Sequence, residues 1–142
     1  MFHSIVVGTD GSQTADEAVR QAAELARLCG ARVHLVCVYE PVARGDDGDS
    51  RAAEWVAGTR EAVDATLDRA ASVLAAAGVE VDVYAQRGDP ADAILDVAKE
   101  RDADLIVVGS RGRTGAKRFL LGSVPNRVSH HAPCAVLIIR TG

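Results

Sequence analysis

The sequence predicts a single α/β domain over residues 1–142, with a doubly wound, five-stranded parallel sheet. Short apolar runs alternate with stretches in which apolar residues recur at helical spacing, in the order β-α-β-α-β-α-β-α-β. Strands separated by helices indicate right-handed crossovers, and therefore a parallel sheet covered on both faces. The chain has 142 residues, 48% hydrophobic and 25% charged, which suits one soluble domain with its own core.

The first half of the chain predicts two strands and two helices. Residues 5–8 form a continuous apolar run typical of a buried strand. Residues 12–29 follow with helical spacing; we expect Thr14 and Glu17 to form a capping box and Gly30 to end the helix. A second strand over 33–38 and a mobile loop over 41–50 come next. The second helix spans about 51–77, with a predicted buried stripe of Val63, Leu67, Ala70, Ala71 and Leu74.

The second half predicts three strands and two helices. Residues 79–84 alternate apolar with charged side chains, which is typical of an edge strand with one wet face. Asp89 followed by Pro90 indicates the start of a third helix that runs to about residue 101. Residues 105–108 form the fourth strand. A short helix from about residue 123, with Pro125 in its first turn, precedes the fifth strand, Ala135–Ile139.

Charge is distributed unevenly along the chain. The formal net charge is −4, from 20 acidic and 16 basic residues. No Asp or Glu follows Asp104, whereas six bases do: Arg111, Arg113, Lys117, Arg118, Arg127 and Arg140. An acidic protein that gathers its bases around one loop is suited to a small anionic ligand rather than to nucleic acid. No apolar run approaches the ~20 residues of a membrane span.

The basic loop contains a glycine pattern. Gly109-x2-Gly112-x9-Gly122-Ser123 begins where the fourth strand ends. Glycines there let backbone N–H groups approach a ligand, and the following helix N-terminus favours an anion. The spacing fits neither a P-loop, since Lys117 is one place late and lacks a following hydroxyl, nor a Rossmann fingerprint, which would follow the first strand. Flavodoxin and response-regulator patterns fail as well.

These segments together resemble the universal stress protein family, and the resemblance covers essentially the whole chain. It is carried by the segment 5–12 (IVVGTDGS), by 103–112 (ADLIVVGSRG), and by Gly122-Ser123-Val124 with the closing run 133–138 (PCAVLI). The resemblance implies an ATP-binding stress-response module with strand order 3-2-1-4-5. It also implies a homodimer that pairs through the fifth strand, Ala135–Ile139, an apolar edge that would otherwise be unprotected.

The resemblance also implies the site residues. Asp10, beside Thr9, would contact ribose or a metal-bound phosphate, and Val38 would contact adenine. Val108 and Gly109 would border the ribose, and the phosphates would lie against Gly112, Gly122, Ser123 and Val124. We add Arg111 and Arg113 as charge partners of the phosphates. Where many relatives carry a small hydroxyl residue this chain has Pro125, which has no N–H to donate, so one terminal-phosphate contact is in question.

Several alternatives stay open at this point. Cyclic AMP is an alternative to ATP, with or without Mg²⁺, and slow ATP hydrolysis is an alternative to binding alone. No general base is evident in the motif, so we expect a binding module rather than an enzyme. The adjacent His130 and His131 point apart on a helix and predict no metal site. The three scattered cysteines are expected to be buried thiols of a cytoplasmic protein.

Overall fold

The computed structural model describes residues 1–39, 59–110 and 122–140. Within these ranges five strands alternate with four helices: β1 Ser4–Gly8, α1 Gln13–Cys29, β2 Arg32–Tyr39, α2 Arg60–Ala76, β3 Val81–Arg87, α3 Pro90–Glu100, β4 Leu105–Gly109, α4 Ser123–His131 and β5 Ala135–Ile139. The predicted loop 41–50 and the predicted start of the second helix at Arg51 lie outside the described residues. No helix in the described part of the chain is long and apolar enough to cross a membrane.

All five strands are parallel, in the order β3-β2-β1-β4-β5, which confirms the predicted fold class and strand order. Each face of the sheet packs a separate core layer. One layer lies against α1 and α2 and contains odd-numbered residues of β1, β2 and β4, such as Leu35 and Val107. The other layer lies against α3 and α4 and contains even-numbered residues of the same strands, such as Val36 and Ile106. Because both faces are covered, the three central strands are apolar along almost their whole length.

The helix boundaries follow local capping chemistry, with one correction. Asp89 caps α3 as predicted, since its Oδ2 accepts from Asp92 N at 3.0 Å. Gly30 ends α1 at a φ of 71°. The predicted capping box of Thr14 and Glu17 is wrong, because Ser12 is the N-cap and its Oγ accepts from Ala15 N at 3.1 Å. Thr14 instead lies buried inside the first turn.

The edge strand β3 also differs from the prediction. It spans Val81–Arg87 rather than 79–84. None of its residues is fully buried, and Val83 is 50% exposed. Asp82 lies on the opposite face and pairs with Arg32 (Nε to Oδ2, 2.8 Å). The edge position of β3 is as predicted, but the covering helices do not fully bury either face at the margin of the sheet, so both faces are partly exposed rather than one.

Two smaller burial predictions need correction. Ala71 is only partly buried, while the rest of the predicted stripe on α2 is buried. Of the three cysteines, which are all free thiols, only Cys37 is buried, and Cys29 and Cys134 are partly exposed. Cys29 ends α1 and Cys134 precedes β5, and both therefore lie at element ends outside the sheet interior.

Candidate functional site

The strand order places the ends of β1 and β4 side by side at the centre of the sheet. Ile5 pairs with Leu105 and Val7 with Val107, so the loops after Gly8 and Gly109 start from adjacent points. The chain leaves β1 for α1 on one face of the sheet and leaves β4 for α4 on the other. The two connections thus diverge and open a crevice at this point, which is where open parallel sheets bind ligands.

Buried polar residues are concentrated at this crevice. Five polar or charged residues are buried among those described, and four of them lie here: Thr9, Asp10, Thr14 and Ser110. A polar group is costly to bury without partners, so such a cluster is a departure from a uniformly apolar sheet interior. Thr14 and Ser110 were not among the predicted site residues. Two features of the sequence could have indicated them. Ser110 directly follows a predicted strand, and Thr14 has the same helical spacing as the apolar residues Ala18 and Ala22.

The loop after β1 is held by its own side chains. Thr9 Oγ1 accepts from Gly11 N at 3.2 Å, and Asp10 Oδ1 accepts from Ser12 N at 2.9 Å. Thr9 N donates to the Val36 carbonyl at 3.0 Å, which ties the loop to β2. These short-range bonds form the turn that leads into α1, and they hold Asp10 in place with only 5% of its surface exposed. Thr9 and Asp10 therefore both lie in the loop at the crevice, and their predicted contacts with a ligand stay predictions.

Gly11 brings the same loop against α2. Its φ is +80°, a conformation that L side chains rarely adopt. A Cβ on Gly11 would lie 3.2 Å from Thr66 Oγ1 and 3.6 Å from the Arg69 Nη2 atom. The middle of α2 therefore forms a wall beside the crevice, a feature that the sequence did not indicate.

Gly109 fills a packing role as well as bordering the crevice. A Cβ at this position would lie 2.6 Å from Thr14 Cγ2 and 3.2 Å from the Thr14 carbonyl carbon and oxygen. The absence of a side chain thus lets the first turn of α1 pack directly on the end of β4. The predicted ribose contact at Gly109 remains a prediction, but the structure supplies an independent reason for glycine.

The start of α4 forms the opposite side of the crevice. Gly122 is its N-cap and offers no side-chain oxygen to the first turn. The Gly122 N–H donates to the Ser110 carbonyl at 2.9 Å, and Ser110 N donates to the Ile139 carbonyl at 2.8 Å. In this structure a backbone carbonyl therefore already occupies the Gly122 amide, and its predicted contact with a phosphate stays a prediction.

The remaining predicted residues divide by exposure. Val38, Val108 and Val124 are buried, with at most 6% of each whole residue exposed, so their predicted contacts with a ligand stay predictions. Ser123 is exposed at the helix start, and Pro125, two residues later, is buried and has no N–H. Arg111, Gly112 and Arg113 lie outside the described residues. Within the described ranges no group of three His, Cys, Asp or Glu side chains is arranged to hold a metal ion.

A stacked pair stands at the end of β2. The Arg60 Cζ atom lies 4.8 Å from the centre of the Tyr39 ring, and Arg60 Nε donates to Asp64 Oδ1 at 3.2 Å. The hydrogen bond to Asp64, its charge, and Tyr39 together raise the pKa of Arg60, so the guanidinium stays charged. Arg60 was not among the predicted site residues, since an arginine within the predicted second helix carries no signal of ligand binding.

A second polar cluster lies away from the crevice, in the amino-terminal half of β2 and β3. His34 Nδ1 is 3.0 Å from Tyr84 Oη and 3.7 Å from Asp82 Oδ2. Burial lowers the pKa of His34, and Arg101 and Arg32 add to that effect, while Asp82 opposes it. At neutral pH the His34 ring is therefore uncharged.

Comparison with known proteins gives a consistent result. A family model described as "Universal stress protein family" matches residues 1–140. A universal stress protein from Thermus aquaticus is 37% identical over 145 residues, covering 99% of this chain and all of the relative. One from Methanocaldococcus jannaschii is 32% identical over 143 residues, covering 99% of this chain and 83% of the relative.

Two solved structures extend the comparison to ligands. A universal stress protein in complex with cAMP superposes with a TM-score of 0.76 at 29% identity, covering 99% of each chain. The Archaeoglobus fulgidus protein in complex with dAMP gives a TM-score of 0.70 at 33% identity, covering 97% of this chain and 98% of that one. Both similar proteins hold an adenine nucleotide.

Proposed function

The chain belongs to the universal stress protein family, and from that premise we propose that it binds an adenine nucleotide, ATP above all, as a stress-response binding module. The observation that carries the proposal is the cluster of buried Thr9, Asp10, Thr14 and Ser110 where β1 and β4 end. The similar proteins solved with cAMP and dAMP support the same ligand class.

In this proposal the two sides of the crevice take different parts of the nucleotide. Asp10, held in its turn by Ser12, binds the ribose or a Mg²⁺ that accompanies the phosphates. The backbone at Val38 meets adenine, and that at Val108 and Gly109 meets the ribose. The start of α4 attracts the phosphates, because its N-cap supplies no side-chain acceptor and its dipole is positive there.

The number of phosphates is the finer question. The Gly122 amide is occupied by the Ser110 carbonyl, and Pro125 supplies no donor. The first turn of α4 therefore offers Ser123 and Val124, with Arg111 and Arg113 as the proposed charge partners nearby in sequence. This reduced donor set is the specific observation that favours cyclic AMP, which has one phosphate, as the second candidate.

Titration calorimetry tests the proposal. We expect one adenine nucleotide per chain, with ATP (with and without Mg²⁺), AMP and cyclic AMP compared in separate titrations. Gly122→Val, which adds bulk at the N-cap of α4, should weaken binding at least tenfold. Gly78→Ala, at a turn with nothing within 4 Å, is the control. Absence of binding to all these nucleotides, or unchanged affinity in Gly122→Val, would remove the site.

Turnover is tested separately by phosphate release. We expect no release above that of Gly122→Val, because the glycine motif itself contains no evident general base. Release well above that background would establish the alternative, a slow ATPase.

We further propose a homodimer through β5. Among the residues that the structure describes, this strand pairs with β4 alone, and Leu137 is 39% exposed. An uncovered apolar edge is a liability unless it pairs, and antiparallel pairing with a second β5 would cover it. Sedimentation at micromolar concentration should give a dimer that Leu137→Lys converts to a monomer. Val83→Lys, on the opposite edge strand, should stay dimeric, and a monomeric wild type would refute the contact.

A further inference from the structure

The stacked pair at the end of β2 places a guanidinium against an aromatic ring. Tyr39 packs partly against the core between the sheet and α1 and α2, and Arg60 lies over its ring. Asp64, one turn further along α2, holds the Arg60 Nε atom at 3.2 Å. The ring on one side and the carboxylate on the other together restrict where the guanidinium can lie.

This pair stands on the same edge of the sheet as the crevice. Tyr39 is the last residue of β2, directly after Val38, and three residues beyond Val36, which pairs with Gly8. On α2, Thr66 contacts the loop at Gly11 less than two turns after Arg60. The first half of α2 therefore runs from the stacked pair to the β1–α1 loop.

The ion pair between Arg60 and Asp64 contributes little to the stability of the fold. The side chains of Arg60 and Asp64 are 55% and 54% exposed, and such exposed helical ion pairs stabilise proteins only weakly. The same exposure leaves a planar surface of the guanidinium accessible to a ligand. Aromatic bases stack readily on arginine planes, and a group that is already oriented loses less freedom on binding.

We propose that Arg60 is the base-stacking residue of the nucleotide site, with Tyr39 and Asp64 as its positioning residues. This inference rests on the adenine-nucleotide site proposed above. It assigns the base a planar cationic partner from α2, in addition to the backbone at Val38. Any base with a π-face can stack there, so Arg60 supplies affinity for the base, while selection of adenine lies with other contacts.

The experiment compares ligands with and without a base. Adenosine, AMP and ribose 5-phosphate are titrated into the wild type, Arg60→Lys and Arg60→Ala. Lysine keeps the positive charge but has no planar guanidinium on which a base can stack. Both variants should therefore lower the affinity for adenosine and for AMP by a similar factor, about tenfold. Ribose 5-phosphate should bind all three proteins alike. The loss of absorbance at 260 nm that accompanies stacking of AMP should shrink in both variants.

Controls separate stacking from other causes. Arg27→Ala breaks an equally exposed helical pair with Glu24 at the far end of α1 and should leave all affinities unchanged. Asp64→Asn should give an intermediate loss, because the guanidinium keeps Tyr39 but loses its edge partner. Thermal unfolding of each variant establishes that it is folded.

The outcomes are distinguishable. Wild-type affinity for adenosine in Arg60→Lys would refute stacking, since charge alone would then suffice. An equal loss for ribose 5-phosphate would also overturn it, by making Arg60 a phosphate contact. A wild type that binds none of the adenine ligands would refute the proposed function itself, and this inference with it.

Discussion

Replacing Gly109 by alanine tests whether this glycine serves the fold as well as the ligand. Its φ lies outside the left-handed region, so the backbone itself accepts alanine. The added Cβ, however, would lie 2.6 Å from Thr14 Cγ2 and 3.2 Å from the Thr14 carbonyl group. Thr14 is buried in the first turn of α1, and its branched side chain has little room to move.

The expected cost follows from two opposing effects. Forcing one methyl group into a packed site costs about 1–3 kcal/mol. Alanine also restricts the unfolded chain, which offsets about 0.4–1 kcal/mol of that cost. We therefore expect Gly109→Ala to lower the free energy of unfolding by about 1–2 kcal/mol. For a chain of this length the corresponding fall in Tm is about 3–6 °C.

Urea unfolding of a double-mutant cycle measures the effect. Thr14→Ser removes Cγ2 but keeps the hydroxyl, so Thr14→Ser with Gly109→Ala should recover more than half of the loss. Gly78→Ala is the control, because its φ of +80° strains alanine while nothing lies within 4 Å to clash. Its cost should be independent of Thr14. Protein concentration is held constant, since association would shift the midpoint.

Either of two results would refute the expected clash between Thr14 and the Cβ that Gly109→Ala adds. If Gly109→Ala unfolds at the same urea concentration as the wild type, the close approach to Thr14 imposes no cost. If Thr14→Ser leaves the loss unchanged, the cost arises elsewhere. A variant that is fully stable but no longer binds nucleotide would show that Gly109 serves the ligand alone.

Three further predictions follow from caps and titrating groups. Ser12→Ala should lower the free energy of unfolding by about 1 kcal/mol in urea, as loss of the N-cap of α1, and an unchanged midpoint would contradict that assignment. Asp104 accepts from His3 N (2.9 Å) and Ser4 N (3.1 Å), which lowers the pKa of its carboxyl despite partial burial. The stability that this carboxylate contributes is therefore fully present above the unfolded pKa near 3.8, and it is lost as pH falls through the lower folded value. Asp104→Asn should lower the free energy of unfolding by about 1–2 kcal/mol at pH 7 and flatten the acid-unfolding profile below about pH 4. A variant as acid-sensitive as the wild type would contradict this prediction. Burial lowers the pKa of His34, so the unfolded chain binds a proton more readily than the folded one. The free energy of unfolding should therefore fall as pH drops below about 6.5, and His34→Phe should lose that dependence. Equal pH profiles of wild type and variant in urea would refute this prediction.

Sequence patterning succeeded where structure is decided locally. Four apolar runs and one alternating segment predicted the five strands, and Asp89 with Pro90 predicted the start of α3 to the residue. It failed where two local signals competed, since both Ser12 and Thr14 can cap a helix. Burial resolved that competition, because Thr14 packs against β4 and Ser12 is left at the turn.

The site shows the same division. Asp10 and the start of α4 were found from the sequence because their residue types and spacing carry the chemistry. Ser110 and Thr14 were missed, as was the role proposed for Arg60, because each depends on distant segments that meet only in the fold. The occupied Gly122 amide could not be foreseen either, since its partner carbonyl is twelve residues earlier in the chain.

The sequence by itself determined the α/β alternation, the family resemblance and the position of the crevice along the chain. These depend on periodicity and on residue types next to one another, which survive without coordinates. Only the tertiary structure decided which groups in the crevice are already engaged. Whether an amide, a glycine or a guanidinium is available to a ligand depends on contacts across the sheet, and those form only when β1, β4 and α2 pack together.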